Sequence, residues 1–368
     1  MFKHSTLAAI LMAAAVFATG LVQAGQKQDG FVVGFANGYI GNTWRSQFVE
    51  NFEKAAQAHK DKGTLKDFQV ANTNADVTEQ INQLNAMLNS GVDALMICAV
   101  SPTSLKPIVD QAKRKGVLVV ITNDPAAYPG TYAVVGDNAS WMKVQALWFA
   151  EKLNGKGNVV EITGVPGNAA DTIRQQTTRP IFEKYPDLKI LASAPGKWSQ
   201  TEAQSVMTTF LSTYPQIDGV YIQDVMAEGV MKAYENAGKT PPIMTGDSLH
   251  SFFKRWKATP GMDSIGVPYA PGVSVTALEI TIKLLQGGKL KQELLKGNPF
   301  DENLMNTIYV DPPYVVTLEG DQNAPWMQGY VNTKAISLDE ALKILDGQPD
   351  TASLDGWMTG AQVEAYFE

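Results

Sequence analysis

Short runs of β-branched and other apolar residues alternate with stretches whose apolar positions recur every three or four residues. Residues 31–36 (Phe-Val-Val-Gly-Phe-Ala) read as a first strand, and residues 68–71, 94–100 and 117–122 as further strands. Between them, Trp44, Phe48, Phe52 and Ala55 fall at near-helical spacing, as do Val77, Ile81, Leu84 and Leu88. Strands that are apolar throughout and separated by helices predict a parallel sheet covered on both faces. A second set reads as strands over 158–163, 189–193, 219–223 and 242–246, with helices over 202–214 and 226–237. The pattern predicts an α/β protein of two doubly wound parallel-sheet lobes. Residues 132–138 carry the chain from one lobe to the other. After 265–269 comes a helix over 273–285, ended by Gly287-Gly288, then late strand material at 308–310 and 314–317. A short helix fits 338–345, but the pattern offers no place for the last fifty or so residues.

Composition narrows the class. Of 368 residues, 45% are hydrophobic and 18% charged, which supplies apolar material for two cores. The formal net charge of -7, with no Lys/Arg cluster, argues against a nucleic-acid or anionic-membrane partner. Lys3 and His4 precede an apolar run over 7–22, and Val22-Gln23-Ala24 places small residues before Gly25. This predicts a secretory signal peptide over 1–24, cut after Ala24. Beyond residue 25 no apolar run approaches the roughly 18 residues of a spanning helix. Cys98 is the single cysteine and lies in the apolar run 94–100, so it reads as a small buried residue. Disulfides and Cys-based metal sites are thereby excluded. His59 and His250 form no ligand-spaced motif, and no metal is expected.

In open α/β sheets, ligands bind beyond the carboxyl ends of the strands. Asn37, Asn42, Trp44 and Arg45 follow the first strand, and Asn123 and Asp124 follow 117–122. Gly164, Asn168, Asp171 and Arg174 follow 158–163; Trp198, Asp224, Asp247 and Tyr269 follow later strands. The set combines forked hydrogen-bonding groups with aromatic faces. A sugar needs both, since carboxylates and amides pair with vicinal hydroxyls and Arg adds charge-assisted donors. No Ser-His-Asp order, phosphate loop or metal pair accompanies it, so no catalytic residue and no cofactor are expected. Each residue also suits a plainer role. A strand-end Asp or Asn can cap a helix. Trp44 opens an apolar helical stripe, and Arg174 stands three residues from Asp171 on one helix.

At these residues the sequence resembles the periplasmic sugar-binding proteins of ABC importers, the ribose-binding-like type I group. The resemblance runs from about Phe31 to Leu290. It is carried by 32–36 with Gly41-Asn-Thr-Trp-Arg45, 91–97 with Pro102, 116–124, Val135-Gly-Asp-Asn138, Gly164-Val-Pro-Gly167 with Arg174, 217–224 and Thr245-Gly-Asp247. It implies two lobes joined by a three-segment hinge: lobe one over 30–137 plus 269–300, and lobe two over 138–268 plus 301–320. A C-terminal extension over 321–368 lies outside the common pattern. Ligand contacts are implied at Asn42, Trp44, Arg45, Asn123, Asp124, Arg174, Trp198, Asp224 and Asp247, with Asn168 and Tyr269 as weaker additions. Arg174 and Asp247 are expected to meet one ligand from opposite sides of the cleft.

The resemblance further implies a periplasmic monomer that captures a small sugar or polyol and delivers it to an ABC permease in the inner membrane, with a chemoreceptor as a further partner. The family often carries Asp-Arg where this chain has Asn123-Asp124, Asn where Asp224 stands, and Gln where Pro268 stands. These departures leave the binding role intact and bear on the familiar aldopentose specificity. The same fold could instead take an amino acid, amide or signalling molecule, with Arg45, Arg174 and the Asp residues as partners. An exported enzyme would use Asp124, Asp224 and Asp247 as acid and base. A sugar-responsive transcription regulator would need a helix-turn-helix in place of residues 1–25.

Overall fold

Alternation of strand and helix begins at β1 (Phe31–Asn37) and α1 (Thr43–Asp61) in the computed structural model, which describes residues 29–368. The signal segment read over 1–24 lies outside the described residues. There follow β2 (Leu65–Asn72), α2 (Val77–Ser90), β3 (Ala94–Cys98), α3 (Lys106–Arg114), β4 (Leu118–Thr122) and β5 (Tyr132–Gly136). Every side chain of β3 is buried, as a strand covered on both faces requires. Phe35 packs on Phe52 with ring centroids 4.3 Å apart, joining the sheet to α1. Asn42 and Asp76 accept from backbone N–H groups in the first turns of α1 and α2, ending the loops where the helices begin.

The second unit runs α4 (Asn138–Lys152), β6 (Lys156–Thr163), α5 (Ala169–Phe182), β7 (Asp187–Pro195), α6 (Gln200–Thr213), β8 (Gly219–Ile222), α7 (Ala227–Asn236), β9 (Ile243–Thr245), α8 (His250–Lys257) and β10 (Ser264–Ile265). Its sheet is ordered β10-β9-β8-β6-β7 and is parallel throughout. Phe252, Phe253 and Trp256 of α8 pack together in its core with tilted rings.

The chain then returns. Helix α9 (Val273–Leu285) packs against α1 and the first sheet, followed by β11 (Lys296–Asn298) and β12 (Asp301–Val310). The first sheet is ordered β11-β12-β5-β4-β3-β1-β2. Residues 301–310, expected in lobe two, instead pair in parallel with β5, from Thr307 beside Ala133 to Val310 beside Gly136. The reason lies in β5, whose outer edge would otherwise leave a row of backbone donors and acceptors unpaired. Only β13 (Tyr314–Thr317) passes to the second lobe, where Val316 and Gly266 exchange two backbone hydrogen bonds. The lobes are thus joined at 136–138, 266–272 and 311–313.

The C-terminal segment makes a fourth passage. β14 (Lys334–Ser337) pairs with β13, and α10 (Leu338–Ile344), opened by a Ser337–Glu340 capping box, lies against α8. Leu354 N–H then donates to Ser248 O (2.7 Å) in lobe two, while Asn51 of α1 donates to Asp355 (2.6 Å) in lobe one. α11 (Gly360–Ala365) finishes against α9, and Lys291 N–H donates to Tyr366 O.

Candidate functional site

The ends of β1, β3 and β4 bring three side chains of lobe one together. Arg45 is buried, only 6% exposed, near the start of α1. Its Nη2 donates to Asp124 Oδ2 (2.6 Å), and its Nη1 to Cys98 Sγ (2.7 Å) and Asn37 Oδ1 (3.4 Å). Cys98 in turn donates its S–H to Asp124 Oδ2 (3.0 Å). Burial pushes the Cys98 thiol up to about 11, so it stays a donor at neutral pH. Trp44 lies stacked on Phe48 and donates its indole N–H to the Tyr269 carbonyl, which satisfies both the core and the cleft edge.

Lobe two presents a matching pair. Arg174 of α5 donates through Nη1 to Asp224 Oδ1 (2.7 Å) and through Nε to Asn138 Oδ1 (2.8 Å). It does not pair with Asp171, which instead accepts from Gly164 N–H and Gln223 Nε2. The Arg174 guanidinium lies 4.3 Å from the Trp141 ring centroid, 5.0 Å from that of Tyr269 and 5.6 Å from that of Trp198. Trp198 is held by a bond from its Nε1 to Gln223 Oε1 (3.0 Å) and by the absence of a side chain at Gly164. A Cβ there would lie 2.4 Å from the indole.

These groups line one cavity of about 40 Å³ between the lobes, with Tyr39, Asn42, Trp44, Arg45, Asn123 and Asp124 on one side and Ala170, Arg174, Trp198, Asp224 and Val225 on the other. Tyr269 of the second crossing segment closes it and accepts from Asn138 Nδ2 at its hydroxyl (3.2 Å). Three wall residues have left-handed backbone: Asn123 (φ 61), Trp198 (φ 53) and Val225 (φ 57). The conformation is strained for any of these residues and most for a β-branched valine. Such strain persists where surrounding structure imposes it, and it clusters at ligand clamps. Asn123 Oδ1 is buried without a hydrogen-bond partner.

Two expected site residues stand outside this wall. Asn168 caps α5, its Oδ1 accepting from Ala170 N–H (2.8 Å). Asp247 is fully buried beside α7, where its Oδ2 accepts from Ala227 N–H (2.9 Å). The N-cap of α7 is Met226, which offers no side-chain acceptor, so Asp247 supplies one from the next strand end. Arg174 and Asp247 therefore both belong to lobe two and do not face each other across the cleft. Burial, reinforced by the charge of Asp224, holds the Asp247 carboxyl well above the ordinary carboxylate range. Residue patterns also overlook Tyr39, Ala170 and Val225 on the wall, and Asn138, Gln223 and Trp141 behind it. Asn138 and Gln223 carry the only available signal, lying next to the capping residue Asp137 and to Asp224.

A family model described as a periplasmic binding protein domain matches residues 33–289. The chain is 31% identical over 278 residues to the xylitol-binding protein of Mycolicibacterium smegmatis, covering 74% of this chain and 72% of that protein. It is 26% identical over 277 residues to the galactofuranose-binding protein YtfQ of Escherichia coli, covering 71% and 84%. The solved structure of an ABC transporter solute binding protein from Thermobispora bispora superposes with a TM-score of 0.68 at 28% identity, over 81% of this chain and 88% of that one.

Proposed function

The chain belongs to the periplasmic binding protein family, and from that premise we propose that it is the solute-binding component of an ABC importer. It closes two lobes on a small polyhydroxylated ligand, a monosaccharide or polyol, and hands it to an inner-membrane permease. The observation that carries this reading is the pairing of charges within each wall. Arg45 is neutralised by Asp124 and Arg174 by Asp224, so the cavity offers forked donors and acceptors without a spare charge. That suits neutral hydroxyls, which both donate and accept. Tyr269 and Trp198 add apolar faces for a carbon skeleton. The named ligands of the relatives, xylitol and galactofuranose, belong to the same class. An amino acid would need one unpaired cation and one unpaired anion, and the walls have committed theirs to each other.

The leader over 1–24, removed after Ala24, accounts for delivery to the periplasm. The binding residues are Asn42, Trp44, Arg45, Asn123, Asp124, Arg174, Trp198, Asp224 and Tyr269. The protein works as a monomer and returns its ligand chemically unchanged. A thermal-shift screen of xylitol, D-ribose, D-allose and the amino acids tests the reading. A bound polyol or sugar at a hundred times its Kd stabilises by about 2.7 kcal/mol. Shifts with amino acids alone, or a chemically altered sugar recovered from the protein, would overturn it.

A further inference from the structure

We propose that Cys98 is a positioning residue for the ligand, its thiol orienting Asp124 so that one carboxylate oxygen faces the cavity. The proposal rests on the ligand-binding reading above. Cys98 ends β3, fully buried, between the side chains of Arg45 and Asp124. A thiol both accepts and donates, and both capacities are in use. Sγ accepts from Arg45 Nη1, and the S–H donates to Asp124 Oδ2. Arg45 Nη2 lands on that same Oδ2, so both partners draw on one carboxylate oxygen and leave Oδ1 for the cavity. A second observation points the same way. Asn123 turns its amide nitrogen toward Sγ (3.9 Å), and its buried Oδ1 has no hydrogen-bond partner. Its backbone is left-handed, a conformation held at a local cost. An apolar residue of similar size would fill the space. It would leave Arg45 Nη1 without its closest acceptor and Asp124 free to rotate.

The alternative is that Cys98 only fills volume at the end of a buried strand. Two measurements separate the readings. The chain has one cysteine, so its Raman spectrum contains a single S–H stretching band. Positioning places that band at a hydrogen-bonded frequency, and Asp124→Ala moves it toward the free-thiol value. A band already at the free-thiol value, or one that Asp124→Ala leaves in place, would overturn the proposal whatever the protein binds. Calorimetric titration with xylitol and D-ribose gives the second reading. Cys98→Ala and Cys98→Val should lose roughly tenfold in affinity, while Cys98→Ser, which keeps a donor and an acceptor, loses no more than about threefold. Wild-type affinity in the Ala and Val variants would sink the proposal and leave the functional reading standing. Failure of the unaltered protein to bind either probe would count against the functional reading, and the Raman band would still decide the role of the thiol.

Discussion

Gln47 and Ser353 hold each other by two hydrogen bonds. Gln47 Nε2 donates to the Ser353 carbonyl (3.2 Å), and the Ser353 N–H donates to Gln47 Oε1 (2.8 Å). The side-chain amide of α1 thus stands in for a neighbouring strand, while Leu249 of the second lobe forms a bridge with the same residue. A passage pinned on both lobes resists their separation. Gln47→Ala should cost roughly 1–2 kcal/mol of stability, read as a lower Tm by scanning calorimetry. The ligand-free variant should also show a larger radius of gyration by X-ray scattering. An unchanged Tm would mean that the tail is held elsewhere.

Arg174 carries the lobe-two wall. Its removal leaves Asp224 as a buried carboxylate without its counter-ion, a change that costs about 3–5 kcal/mol when a buried pair is broken. Ligand affinity should fall by roughly 30- to 1000-fold, the equivalent of about 2–4 kcal/mol. Arg174→Lys restores charge but cannot reach both Asp224 and Asn138 in the same fork, so its affinity should lie between. A folded Arg174→Ala protein with wild-type affinity, measured by calorimetric titration, would remove Arg174 from the site.

Asp247 gives the fold a pH dependence. Its carboxyl is raised above the ordinary 3.8, first by burial and then by the charge of Asp224. The folded protein therefore keeps a proton that the unfolded chain releases above a pH of about 4. The stability from this group is full below that pH and is lost as pH rises toward the raised value of Asp247 itself. Asp247→Asn has no proton to lose. Its Tm relative to the unaltered protein should improve steadily from acid toward neutral pH, and its ligand affinity should stay within about threefold because the residue is off the wall. A large loss of affinity would return Asp247 to the ligand.

Gly164 tests the aromatic wall without altering any charged residue. Its backbone is not left-handed, so alanine is locally acceptable, yet the new methyl would overlap the Trp198 indole. Gly164→Ala should displace Trp198 from the cavity and cost roughly tenfold in affinity, the scale of a lost aromatic contact. A Tm near that of the unaltered protein would show that the fold is kept. Unchanged affinity would argue that the indole face does not meet the ligand.

Much of the wall is legible in the sequence because it follows from local pattern. Asn123, Asp124 and Asp224 stand within two residues of the ends of largely apolar strands, and parallel strands aim their C-terminal ends at one cleft. What the pattern cannot resolve is direction over one or two residues. Asp247 follows a strand as Asp224 does, yet turns to Ala227 because Met226 cannot cap its own helix. Val225 leaves no trace, since its left-handed backbone is imposed by its surroundings. The pairing of β12, whose residues 308–310 do read as strand, escapes for a different reason. Its partner β5 is some 170 residues earlier, and pairing at that distance has no local signature. The tail is the extreme case, its place set by contacts such as Gln47–Ser353 within a segment of short, irregular elements.

The place of β12 beside β5 bears on how the chain reaches its final form as it emerges from its N-terminus. Strands β1 to β5 appear early, but their sheet stays open at β5 until residue 301 and beyond have been made. The second sheet is drawn from one continuous stretch, 156–265, and can complete itself during that interval. Between about residue 265 and residue 310 the molecule therefore carries a completed second sheet beside a first sheet whose bare edge is open to pairing with another nascent copy.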